Sequence, residues 1–238
     1  MKRRAFLAAI AAASLAGFAF GQVKKPMKIG VIGSGRIGST IGGLWVKAGH
    51  EVMFSDRDPE QVKRAIEGLG PAVGPKARAG SVSEAAAFGD AVLIAVPYGA
   101  LPAVWQEAGP HLKGKVVIDP NNPIPGRDGE MGAQAKEKGA GVSTATLLPG
   151  ARPVRAFNAW SYSTFQREAN RPAPRMGIPI ASDDAEALKL GMRLVSDAGF
   201  DPVPVGSLAA SKAFDLGSAV SGRPLTAAEL RQALSLKP

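Results

Sequence analysis

The sequence predicts an α/β fold: a doubly wound, mainly parallel sheet with a short helical appendage at the C-terminal end. Three observations carry this. From Lys28 onward, short apolar runs alternate with helical segments, the β-α-β rhythm of a parallel sheet covered on both faces. A glycine-rich turn joins the first run to the first helix. The 238 residues are 45% apolar and 21% charged, a composition that builds a real core and excludes a disordered or polytopic membrane chain.

The elements follow in order. Residues 28–32 are the first strand and 36–48 the first helix. Residues 51–54 form the second strand and 59–69 the second helix. A short helix at 82–88 leads to a strand at 91–96, a helix at 101–108 and a strand at 116–119. Two further strands fall at 154–157 and 176–181, the latter leading to a helix at 184–198 that opens on Asp183-Asp184, where acids suit the helix dipole. Pro202 and Pro204 place a last strand, 202–205, at a sheet edge, because proline cannot donate to a ladder. Helical stretches at 208–218 and 226–234 close the chain, and 122–129 and 170–175 read as surface loops.

Residues 1–21 read as an address. Lys2, Arg3 and Arg4 precede an apolar run of about 15 residues, and no acid occurs before Glu51. That is a secretory signal peptide, and Arg3-Arg4-x-Phe6-Leu7 resembles the twin-arginine type. Ala19-Phe20-Gly21 offers a cleavage context. The expectation is a periplasmic protein that meets a membrane only during export, with an uncleaved anchor as the alternative.

Composition excludes several chemistries. With no cysteine, disulfides, thiolate metal sites and cysteine nucleophiles are absent. The two histidines, His50 and His111, are too few for a multi-histidine metal site, and no metal is expected. His50 reads as structural and His111 as solvated, which leaves no serine–histidine–acid triad. Removing the three leader charges from +9 leaves +6, scattered apart from Arg167, Arg171 and Arg175. No basic helix interleaved with aromatics exists, so nucleic acid is not an expected partner. A pocket for anionic small molecules suits the charge better.

The most specific chemistry is G-x-G-x-x-G at Gly33, Gly35 and Gly38 in Gly33-Ser34-Gly35-Arg36-Ile37-Gly38. It follows a buried strand and opens a helix, the context the motif requires. Gly33 permits a sharp turn, Gly35 lets the backbone approach a pyrophosphate, and Gly38 lets the helix pack closely. Free N–H groups at the helix start hold phosphate oxygens. This is a Rossmann-type dinucleotide-binding domain, expected over 27–160, with 161–238 extending and closing the same sheet. The second strand ends Ser55-Asp56-Arg57. Asp56 suits the adenosine ribose of NAD, whereas Arg57 suits the 2′-phosphate of NADP. The two pull in opposite directions.

These segments resemble the coenzyme F420-dependent NADP oxidoreductase family. The resemblance runs through 28–51, Ser55–Arg57, 91–97, Val116-Val117-Ile118-Asp119-Pro120-Asn121-Asn122-Pro123, Val154-Arg155-Ala156-Phe157-Asn158 and Asp197–Pro202, covering roughly 27–219. It implies NADP as cofactor, NAD being the alternative. It also implies hydride transfer to a flavin, a deazaflavin such as coenzyme F420, or another small-molecule electron acceptor. It assigns the pyrophosphate to Gly33–Gly38 and the 2′-phosphate to Ser55 and Arg57. The nicotinamide falls to Val96, Pro97 and Tyr98, to Asn121 and Asn122, and to Ala156, Phe157 and Asn158. Asp56 and Asp58 depart from the family's polar or basic pattern there.

No catalytic side chain stands out, which suits hydride transfer between rings, a matter of proximity and orientation. Asp119 reads as orienting a loop or as catalytic. Trp160 and Tyr162 either stack on a flavin-like ring or pack the sheet edge. Two other functions remain in play: a dinucleotide-binding module without catalysis, and a hydroxyacid-dehydrogenase-like enzyme. The latter needs a large helical domain and a catalytic lysine, and Lys212 lacks the surrounding motif. A homodimer is left open.

Overall fold

The computed structural model describes residues 25–236; the leader at 1–21 lies outside them. The strands are β1 (Lys28–Ile32), β2 (Glu51–Ser55), β3 (Ala77–Ala79), β4 (Ala91–Ile94), β5 (Val116–Asp119), β6 (Arg152–Arg155), β7 (Gly177–Ala181) and β8 (Asp201–Gly206). They form one eight-stranded sheet in the order β3-β2-β1-β4-β5-β6-β7-β8. All pairs are parallel except β6 with β7, which meet antiparallel at Arg155 and Ala181. The order reverses at β1, so a crevice opens beyond the carboxyl ends of β1 and β4, where doubly wound sheets bind ligands.

Alternation along the strands buries both faces. Ile29 and Val31 of β1, Leu93 of β4 and Val154 of β6 enter one core layer. Helices α1 (Arg36–Lys47), α2 (Pro59–Glu67), α7 (Tyr162–Glu168), α8 (Ala185–Asp197) and α9 (Ala227–Ala233) cover it through Trp45, Val62, Phe165, Leu194 and Leu230. Ile32, Val92 and Val117 enter the opposite layer. There α3 (Val82–Phe88), α4 (Leu101–Leu112), α5 (Pro125–Lys138) and α6 (Ala140–Leu147) pack through Val82, Leu101, Ala135 and Ala140. Trp45 is fully buried and donates its indole N–H to the Leu194 carbonyl at 2.8 Å, so the body is packed and the tip satisfied. His50 is buried, with Nδ1 accepting from the Met27 amide and Nε2 facing Asp197, each at 3.2 Å. Asp184 caps α8 through the Ala187 amide and takes two 2.7 Å bonds from Arg152, which hold its carboxyl well below the ordinary range.

Several expectations are corrected. The expected loop 122–129 runs into α5, which kinks at Gly129 (φ 60°) and continues to Lys138. The strand expected at 154–157 is β6, two residues earlier, so Ala156 and Phe157 lie beyond its end. Helix α4 continues through Pro110 to Leu112, placing the exposed His111 in its last turn instead of a loop. The stretch 208–218 contains only one 3-10 turn, Ala210–Phe214. β3, α6 and α7 were not anticipated. As expected, β8 is an edge strand. Among the described residues, no helix is long and apolar enough to cross a membrane.

Candidate functional site

Three glycines shape the turn after β1, for different reasons. Gly33 sits at φ +94°, and a Cβ there would lie 2.3 Å from the Ala95 carbonyl oxygen. A Cβ on Gly38 would lie 1.8 Å from the Gly33 carbonyl oxygen. Packing alone therefore demands glycine at both positions. At Gly35 a Cβ would meet nothing within 4 Å. The fold leaves that flank open, and it adjoins the start of α1. No side chain caps this helix and no acid stands in its first turn, so its leading amides face the crevice as a ready anion site.

The loop is tied to β2. Gly33 donates its N–H to the Ser55 carbonyl at 2.9 Å. Ser34 donates its hydroxyl to that carbonyl at 3.0 Å and its N–H to Asp56 Oδ2 at 2.8 Å. Asp56 Oδ1 accepts from the Asp58 amide at 3.2 Å, so each carboxylate oxygen already holds a main-chain donor. Ser55 is fully buried and donates to the Val31 carbonyl at 3.0 Å. The hydroxyl expected to meet a 2′-phosphate thus turns into the sheet. Arg57 is exposed, and its guanidinium has no hydrogen-bond or ionic partner among the described residues. A cleft of about 180 Å³ runs from Gly33 and Gly35 past Asp56 and Arg57 to Val82, Val96, Pro97 and Val104.

A second cleft, of about 370 Å³, continues on the other side of the loop. It shares Gly35, Ala95, Val96 and Pro97 with the first, and adds Arg36, Ile37, Pro120, Asn122, Ile124, Arg127 and Leu216. The crevice thus has two ends joined at the glycine turn. Asn121 clamps the shared wall: its Oδ1 accepts from the Val96 amide at 3.0 Å, and its amide N–H donates to the Ile94 carbonyl at 2.7 Å. Asn122 donates to the Asn158 carbonyl at 2.7 Å. Asn158 is buried and donates to the Phe214 carbonyl, while its Oδ1 has no partner among the described residues.

Two aromatic side chains expected near the nicotinamide point into the protein interior. Tyr98 is fully buried, with its hydroxyl 3.4 Å from the Ala140 carbonyl, and burial pushes its pKa up to about 12. Phe157 turns at φ 62° and drives its ring into the core, edge-on to Trp45, Phe165 and Phe200. Both residues lie at strand ends beside the crevice with their side chains facing away from it. Ala156, likewise buried, donates its amide to the Asp119 carbonyl. Trp160 packs against Phe165 in the core. Tyr162 instead lies under the Arg36 guanidinium, 5.2 Å from its ring centroid, and adjoins the second cleft through Arg36.

Sequence reasoning passed over Arg155, the residue at the centre of this end. Its guanidinium is fully buried and pairs with Asp119 at 3.2 Å and Asp215 at 2.8 Å. Asp119 also accepts from Thr144 at 2.8 Å and from the Asn121 amide at 2.9 Å. It therefore serves the structure and has no open face for catalysis. Arg167 and Arg171 both pair with Glu168. Lys212 donates to the Glu137 carbonyl at the end of α5.

Residues 28–123 match the family described as coenzyme F420-dependent NADP oxidoreductase. These residues hold the glycine turn, Arg57 and the shared wall of the crevice. The match covers 96 of the 238 residues, from 28 to 123. The matched stretch spans β1 to β5 and the loop after them.

Comparisons over longer stretches agree on the fold. The chain is 27% identical over 195 residues to the metalloreductase STEAP3 of Rattus norvegicus, covering 79% of this chain and 36% of that protein. It spans only about a third of that relative's length. A hypothetical protein from Sinorhizobium meliloti superposes with a TM-score of 0.69 at 22% identity, over 84% of this chain and 95% of that one. A candidate F420-dependent NADP-reductase from an Arthrobacter species gives 0.64 at 22% identity, over 79% and 88%.

Proposed function

We propose that the protein is an NADP-dependent oxidoreductase that passes hydride to a flavin-like, deazaflavin-like or other small acceptor. The observation that carries this is the open flank of Gly35 beside an uncapped helix start. Glycine there answers no packing demand, whereas a pyrophosphate needs that space and those amides. Arg57, exposed and unpartnered at one end of the crevice, suits a 2′-phosphate. Asp56 lines the same cleft and keeps acceptor capacity beyond its two main-chain bonds, which keeps NAD as the second reading. Asn122, Ile37 and Val96 line the far part of the crevice and would hold the nicotinamide end. When bound, the cofactor supplies a hydride from its nicotinamide ring.

The acceptor would rest against the far cleft. Ile124 and Leu216, two of the exposed large apolar side chains, line it together with Arg36 and Arg127. That combination suits a flat ring carrying an anionic group. The metalloreductase relative makes a chelated metal ion a further acceptor class. A twin-arginine leader at 1–21 would carry this chemistry to the periplasm, where a nucleotide would have to be retained and recycled.

The test pairs two measurements on the purified protein. Mass spectrometry of small molecules released on denaturation should find NADP(H). Added FMN, coenzyme F420 or a ferric chelate should oxidise NADPH in its presence. Nucleotide binding without turnover on any acceptor would favour the non-catalytic module.

A further inference from the structure

Arg155 reaches two chain segments at once, residues 119–122 and Asp215. Its Nη1 donates to Asp119 and to the Asn121 carbonyl, its Nη2 to Asn122 Oδ1 at 3.0 Å, and both Nε and Nη2 to Asp215 Oδ1 at 3.2 and 2.8 Å. Every N–H of the guanidinium is used, as a fully buried cation requires. Asp215 in turn accepts from the Ala140 amide at 3.1 Å through its other oxygen. The bonds converge on the two walls of the far cleft. Asn122 lies two residues before Ile124, and Asp215 directly precedes Leu216. Arg127 reinforces the first wall by donating to the Asn122 carbonyl at 2.9 Å.

We infer that Arg155 is a positioning residue that sets the separation of Ile124 and Leu216, and so the fit of the acceptor's ring between them. The inference rests on the functional reading above and adds the device that shapes its acceptor side. Arg155 touches neither cleft and acts only through the segments it holds. Lysine would keep the charge, but its three donors cannot serve Asp119, Asn121, Asn122 and Asp215 together. The glycine turn and Arg57 lie outside this bond network, so the adenosine end should not feel the change.

The experiment uses Arg155→Lys and, as a variant with a smaller structural demand, Asp215→Asn. Binding of 2′,5′-ADP reports the adenosine end alone; steady-state NADPH oxidation with FMN reports the acceptor end. Both variants should keep 2′,5′-ADP affinity within about twofold. Arg155→Lys should raise KM for FMN about tenfold or more while kcat changes less, because misplaced walls weaken encounter and orientation. Asp215→Asn should shift KM the same way by a smaller factor. A folded Arg155→Lys or Asp215→Asn protein whose KM for FMN matches the parent overturns the inference, as does equal loss at both ends. If the unaltered protein neither binds 2′,5′-ADP nor turns over FMN, the functional reading itself fails and Arg155 loses its role with it.

Discussion

The Ser34 main-chain N–H points at the Asp56 carboxylate from 2.8 Å. Asp56 and Arg57 follow β2 and line the same cleft, and this bond ties the first of them to the glycine turn. Asp56 is drawn toward the loop, and Arg57 is left facing the crevice without an internal partner. Under the proposed function, that arrangement favours a phosphate-bearing ribose.

Arg57→Ala should therefore weaken NADP more than NAD. The loss expected for a hydrogen bond to a charged group is about 1.5–3 kcal/mol. Calorimetric titration of both nucleotides checks it. Equal losses would mean that Arg57 does not read the 2′-phosphate.

Gly35 and Gly38 should respond oppositely. Gly35→Asp has room and should leave the melting temperature nearly unchanged while abolishing nucleotide binding, through bulk and charge beside the pyrophosphate. Gly38→Ala forces a Cβ against the Gly33 carbonyl and should cost stability, about 1–3 kcal/mol or more. Thermal denaturation with and without NADP separates the two effects. A destabilised Gly35→Asp protein would show that the open flank is not open.

Asp128 fastens the Ile124 wall: its oxygens accept from the Gly99 and Ile124 amides at 3.0 and 2.8 Å. Burial works to raise its pKa, but bonds from Arg127 and these amides win and hold it at about 2. A depressed carboxyl contributes stability above its unfolded value, near 3.9, and loses it as pH falls toward 2. Asp128→Asn should cost about 1–3 kcal/mol at neutral pH. That deficit should shrink between roughly pH 4 and 2. Urea midpoints across that range provide the measurement; a deficit independent of pH would contradict the charge argument.

Replacing Arg3 and Arg4 together by lysine should hold the protein in the cytoplasm. Fractionation with a cytoplasmic marker checks this, and unchanged export would refute the twin-arginine assignment.

The legible parts of this molecule are those whose cause is local. β1, α1 and β2 were readable because continuous apolar runs and a glycine turn state their own geometry. Helix α5 was hidden by Pro123, Pro125, Gly126 and Gly129, which suggest a loop until the kink at Gly129 is known. β3 is three residues long and follows a proline-rich turn. Tyr98 and Phe157 fall in segments beside the crevice, but whether a side chain faces a cleft or a core at a strand end depends on the turn beyond it. Arg155 had no local signal: its partners Asp119 and Asp215 are 36 and 60 residues away, so only the folded sheet brings them together.

The vacancy beside residue 35 also bears on descent. Since folding imposes no penalty for a side chain there, only the retained ligand would keep the position bare. A descendant that has abandoned the nucleotide should keep glycine at 33 and 38, where the architecture enforces it, and let residue 35 drift. If the proposed function holds, that one position would record which branches still bind a nucleotide.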